Sequence, residues 1–129
     1  MPSKIHTVFC DDIRREDNGK MILIGVYMDD LVPSSIPLTF PLSLWVTFKS
    51  EEADAGKLSI ILTLPGGKHV KMHADMEEMP AGSNVSFIFG GVPVEIREPG
   101  MITVQLQFAD DEPIDAGSLI VTPPPSQMP

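Results

Sequence analysis

The stretch Leu42-Ser43-Leu44-Trp45-Val46-Thr47-Phe48-Lys49 decides the fold class. Leu42, Leu44, Val46 and Phe48 fall on one side of an extended chain, and Ser43, Trp45, Thr47 and Lys49 on the other. A period of two marks a strand with one face in a core. Two further segments repeat it. In 58–64, Leu58, Ile60, Leu62 and Leu64 oppose Ser59, Ile61 and Thr63. In 102–108, Ile102, Val104, Leu106 and Phe108 oppose Thr103, Gln105 and Gln107. Working outward, 5–10 reads as a short strand, and 68–73 turns Val70 and Met72 inward. Residues 85–96 read as one long strand bent at a bulge at Gly90-Gly91, and 114–121 closes the domain. The segment 20–28 is apolar on both faces, the pattern of a central strand covered on both sides.

The gaps carry turn chemistry. Asp17-Asn18-Gly19 offers the positive φ angles of a hairpin loop, and Pro65-Gly66-Gly67 and Glu98-Pro99-Gly100 make tight links. Residues 31–41, with Pro33, Pro37 and Pro41, read as a stiff crossover. No segment shows an apolar period of 3.6. The expectation is one all-β domain over residues 1–122, an antiparallel β-sandwich of about seven or eight strands, immunoglobulin-like or C2-like. A partly open β-barrel is the alternative. Residues 123–129 are proline-rich and read as a disordered tail.

A chain of 129 residues suits one domain with a core of its own. Its 18 acidic and 9 basic side chains give a formal charge of −9. That charge disfavours nucleic acid and anionic membranes, which need clustered Lys and Arg. Cys10 is the only cysteine, so no internal disulfide forms. Residues 1–6 carry no apolar stretch of a signal peptide, and no run is long enough to span a bilayer, so a cytoplasmic location is expected.

The segment Cys10-Asp11-Asp12-Ile13-Arg14-Arg15-Glu16, followed by Asn18-Gly19-Lys20 and by an apolar run ending Gly25-Val26-Tyr27, carries a resemblance. It resembles the opening of an uncharacterised family of small bacterial and phage-borne proteins, a domain of unknown function. Those chains open C-D-D-x-R-x-E, then N-G-K, then a strand ending G-V-Y. The Pro99-Gly100 turn and the closing Leu119-Ile120-Val121 are also similar. The resemblance implies a β-sandwich and a bacterial or phage source. It implies no activity and no site residues.

If successive loops alternate between the two ends, one end collects the acids of 11–17, 51–54, 75–78 and 110–115. Such a cluster invites either a basic protein surface or Ca²⁺, which takes six to eight oxygens. Asp11, Asp12, Asp110 and Asp111 are the candidate metal ligands, although no loop has a D-x-D-x-D-G spacing. The bland alternative is a set of solvated loops. His69 and His73 share a strand face at roughly 13 Å, too far apart for one metal ion. Cys10 beside Asp11 and Asp12 reads as a structural thiol, because neighbouring negative charge disfavours the thiolate. No nucleophile elbow, P-loop or dinucleotide fingerprint is present. Enzyme activity and a cofactor are therefore not expected.

Trp45, Ile61 and Ile88 stand on the polar side of their strands, and Leu31, Val32, Ile36, Leu38 and Phe40 decorate the proline segment. An outward Trp beside a stiff apolar loop has the composition of a contact surface; simple packing of that loop over Trp45 is the alternative. The reading is a non-catalytic protein-binding or adaptor module. Its candidate partner-binding residues are Trp45, Phe40 and Ile36 on one surface and Asp110, Asp111 and Glu112 on another. The alternatives are a self-assembling structural subunit and a calcium-dependent binding module.

Overall fold

The structure, a computed structural model, describes residues 3–50, 56–76 and 80–125. Strands β1 (Ser3–Arg15), β2 (Met21–Val26), β3 (Asp30–Leu31), β4 (Leu38–Lys49), β5 (Gly56–Thr63), β6 (His69–Met76), β7 (Asn84–Ile96), β8 (Gly100–Phe108) and β9 (Ile114–Val121) form two sheets. The first has the order β2-β1-β4-β7 and the second β3-β9-β8-β5-β6. Their inner faces enclose one core, so the chain is an all-β sandwich and not a closed barrel. The three alternating segments that set the fold class supply its centre: Leu42, Leu44, Val46, Leu58, Ile60, Leu62, Ile102 and Leu106 are fully buried. Phe48 seals one end, meeting Phe108 edge-on at 5.6 Å and Phe87 in a stack at 6.3 Å.

Two of the three register shifts among the described strands shape the sandwich. The β4–β7 register slips by one residue between Leu42 and Leu44, at Gly90-Gly91 as the sequence indicated, and Gly91 has φ 65°. The β8–β9 register slips at Ala116, freeing its carbonyl to accept a 2.9 Å hydrogen bond from the Thr7 hydroxyl of the opposite sheet. Beside it, Gly117 lets β1 and β9 come close: a Cβ there would lie 3.0 Å from the Thr7 Cβ.

Four sequence expectations change. First, 20–28 is not a central strand, because β2 is the edge of its sheet. It lies beside β1 through a hairpin; the chain then crosses to the second sheet at β3, which pairs with β9, and the proline segment returns it to the first sheet at β4, so among the described residues no strand covers its other side. Second, the hairpin takes positive φ at Gly19 but not at Asn18, with Gly19 N–H donating to the Glu16 carbonyl at 3.0 Å. This is a three-residue loop with one left-handed glycine. Third, β4 begins inside the proline segment, with Pro41 opposite Pro93. The prolines are tolerated because β1 has already left β4 at this level. Fourth, the acids of 11–17 do not join those of 110–115 at one end. The short β2 returns only to the level of Cys10, so β4 restarts at the end from which the β1–β2 loop projects. Asp11, Asp12, Glu16 and Asp17 therefore lie at the opposite end from Asp110, Asp111 and Glu112. Glu51, Glu52, Asp54, Glu77 and Glu78 fall outside the described residues. In the expected tail, Pro124 is buried, and residues 126–129 lie outside the described residues.

Candidate functional site

Cys10 alone in β1 pairs with both neighbours, Val26 of β2 and Ser43 of β4. Beyond it, β1 pairs with β2 only, so residues 11–26 leave the sandwich as a two-stranded arm. Ser43 stabilises the point of departure. Its buried hydroxyl accepts from the Gly91 N–H at 3.1 Å and donates to the Asp11 carbonyl at 3.4 Å. One side chain thereby ties the β7 bulge to the first residue of the arm, and buried polar groups of this kind are costly to leave unpaired.

Alternation along the arm sets Ile22, Ile24 and Val26 on its outer side, exposed at 42%, 43% and 41%. Their cross-strand partners on β1 are Arg14, Asp12 and Cys10. In the next row along the same outer face, Val8, Trp45 and Ile88 stand side by side across β1, β4 and β7, all half-buried. An apolar band therefore runs obliquely over the outer face of the first sheet. The second sheet is different. Its outer face presents Lys57, Ser59, Thr63, Lys71, His73, Asp75, Thr103, Gln105, Gln107 and Ser118, broken by Ile61 and by the Met101–Ile120 pair.

The sequence-chosen residues divide accordingly. Trp45 lies in the apolar band. Phe40 and Ile36 pack partly against the core, and Phe40, an odd number of residues from Trp45 on the same strand, faces the other way. These residues do not form one surface. Asp110, Asp111 and Glu112 are exposed in the β8–β9 turn at the far end. Asp11 and Asp12 point to opposite sides of β1, and Asp110 and Asp111 are at the other end of the sandwich, so the four carboxylates do not share a site.

Between the arm and the proline segment is an open groove of about 340 Å³, lined by Asp11, Tyr27, Leu31, Val32, Pro33, Ser34, Leu38 and Phe40. At its mouth the Tyr27 hydroxyl donates to the Asp11 carboxylate at 2.5 Å. Burial first, and then the Asp11 carboxylate, push the Tyr27 phenol well above its ordinary range. Gly25 makes room for that carboxylate: it has φ 69°, and a Cβ there would collide with Asp11. Cys10 is buried and donates weakly to the Asp12 carbonyl, and burial followed by the charge of Asp11 raises its thiol.

The sequence profile of one family matches residues 6–122, from His6 in β1 to Thr122 just past β9. The chain belongs to the family of unknown function DUF6941. No curated protein matches it. The DUF6941 match takes in all but the first residues of β1, both sheets and the whole arm, so the arm is part of the family's domain.

Within the DUF6941 domain, His73 Nδ1 lies 3.2 Å from the Ser59 hydroxyl, and His69 Nδ1 lies 3.0 Å from the Thr63 hydroxyl. Both are cross-strand pairs in the same β5–β6 ladder. The repeat marks them as ladder contacts of the kind that stabilise sheets. An open hollow of about 700 Å³ lies over Ser59, Lys71, His73, Asp75 and Asp110. Among the described residues no group of three His, Cys, Asp or Glu side chains is placed to hold a metal ion. Among the same residues no helix is long and apolar enough to cross a membrane.

Sequence reading missed Val8, Ile22, Ile24 and Val26 as surface residues, and Ser43 and Tyr27 as fixed points of the arm. The available signal was the tight hairpin followed by prolines: a strand so placed has a neighbour on one side only.

Proposed function

We propose that this protein is a non-catalytic protein-binding module that meets its partner through the outer face of its first sheet. One observation carries the reading. The outer face of the second sheet is largely polar, as solvated sheet faces are, whereas that of the first bears Val8, Trp45 and Ile88 beside the exposed row Ile22, Ile24 and Val26. An apolar band that includes an aromatic residue has the makeup of an interaction surface. The lone, buried Cys10 fits action in the reducing cytoplasm.

The resemblance of the opening motif to bacterial and phage-borne chains makes bacterial lysate the source for capture. Wild type is compared with Trp45→Gln/Ile88→Ser and with Asp110→Asn/Asp111→Asn/Glu112→Gln, each checked for fold by circular dichroism. A protein held by wild type and by the acidic-turn variant, but lost from the Trp45 variant, supports the reading. Retention by a folded Trp45 variant, or loss only from the acidic-turn variant, overturns it.

A further inference from the structure

A sandwich has sheet edges where unpaired N–H and C=O groups invite another strand, and sequences defend them. Three of the four edges here are defended. Strand β3 is two residues long. Strand β6 turns Lys71, His73 and Asp75 outward. Strand β7 carries the bulge at Gly90-Gly91 and then Pro93. Strand β2, Met21-Ile22-Leu23-Ile24-Gly25-Val26, has no proline and no charged residue, and despite the φ of 69° at Gly25 its register against β1 runs without a shift. It is the outer strand of a two-stranded arm, and two strands alone are marginal in water; three or more with an apolar face are needed for independent stability.

We propose that β2 pairs antiparallel with β2 of a second copy of this chain, about a two-fold axis at Ile24. The charges at the ends of the strand select this occupant and direction. Lys20 precedes β2, and Asp29 and Asp30 follow it. Antiparallel pairing brings each Lys20 to the Asp29-Asp30 end of the other copy, whereas parallel pairing sets like charge against like. Centring the axis on Ile24 sets that residue against its own equivalent and Ile22 against Val26. It thus joins exposed row to exposed row, as the period of two demands, and makes the interface self-complementary. The arm becomes a four-stranded sheet, β1-β2-β2-β1, and the axis keeps both apolar outer faces on one side. This goes beyond capture of a foreign partner and does not depend on it, because Trp45 lies outside the paired strands.

The test is solution mass by light scattering, from micromolar to near-millimolar protein, on wild type, Ile24→Lys, Ile24→Glu and an equimolar mixture of the two variants. Ile24 is already 43% exposed, so both substitutions leave the fold intact; Trp45 fluorescence checks this. Wild type shows twice the protomer mass at the upper concentrations. Each variant alone associates about tenfold more weakly or less, because like charges directly oppose across the axis. The mixture recovers the dimer, because Lys then faces Glu. A wild type that stays monomeric throughout overturns the proposal, as does an Ile24→Lys chain that dimerises as tightly as wild type. A mixture that stays monomeric overturns the axis at Ile24. Trp45→Gln leaves the dimer mass unchanged, so failure of the partner reading and failure of this one are distinguishable.

Discussion

Two residues hold the arm on the sandwich, and each has a measurable role. Ser43 Oγ is the shared partner of the Gly91 N–H and the Asp11 carbonyl, in a position with no solvent exposure. Ser43→Ala keeps the packing volume nearly constant but strands both groups, a loss of about 1–3 kcal/mol. Urea denaturation reads it; an unchanged midpoint would mean that the two groups find other partners. Tyr27 is bound to Asp11, and burial together with that carboxylate raises its phenol. The folded state therefore keeps the proton at pH values where the unfolded chain has lost it. Stability is fully present below the ordinary phenol value of about 10 and falls as pH rises through and beyond it. Tyr27→Phe removes the titrating group, so its melting temperature should decline less than that of wild type between pH 9 and 11. Parallel decline of the two proteins would contradict the placement of Tyr27 against Asp11.

At the scale of the element, what the sequence made legible follows from what a strand needs locally. β4, β5 and β8 alternate because each has one face in the core and one outside, and all three were found from that pattern alone. The Gly90-Gly91 bulge was legible because glycine supplies both a positive φ and a break in the ladder. β2 was misplaced for an equally physical reason: a strand apolar on both faces looks the same whether two sheets cover it or nothing does. Periodicity reports the polarity of a face and says nothing about which strands stand beside it. The proline segment was recognised as a crossover, but its geometry was not. Because it delivers β4 to the end from which the β1–β2 loop projects, every later loop changed ends relative to simple alternation, and the acids of 11–17 parted from Asp110, Asp111 and Glu112. Trp45 was legible as an outward aromatic. Its neighbours Val8 and Ile88 form a surface with it only through the registers of β1 and β7 against β4. Those registers are set by long-range pairing, which no local window contains.

The whole molecule depends on how closely its two sheets approach, and the tightest place is where β1 crosses β9. Thr7 reaches across to the Ala116 carbonyl, and Gly117 lies against Thr7 with no room for a side chain. Local preference and tertiary packing give opposite answers here. Glycine weakens a strand, and replacing it by a β-branched residue should on propensity alone stabilise β9 by up to about 1 kcal/mol. The contact argues the reverse. Its nearest atom is the Thr7 Cβ, which is fixed to the β1 backbone and cannot swing aside as a flexible side-chain end would. Gly117→Val would have to push the sheets apart, break the Thr7–Ala116 bond and loosen the core behind Phe9, at a cost of about 1–3 kcal/mol typical of overpacking. A fall in both the melting temperature and the urea midpoint of Gly117→Val is the expected result. Thr7→Ala, which gives up the hydrogen bond but keeps the Cβ, should cost less and should not restore the Gly117→Val protein. A raised midpoint for Gly117→Val would show that strand preference governs β9 and that the two sheets are not pressed together at this crossing.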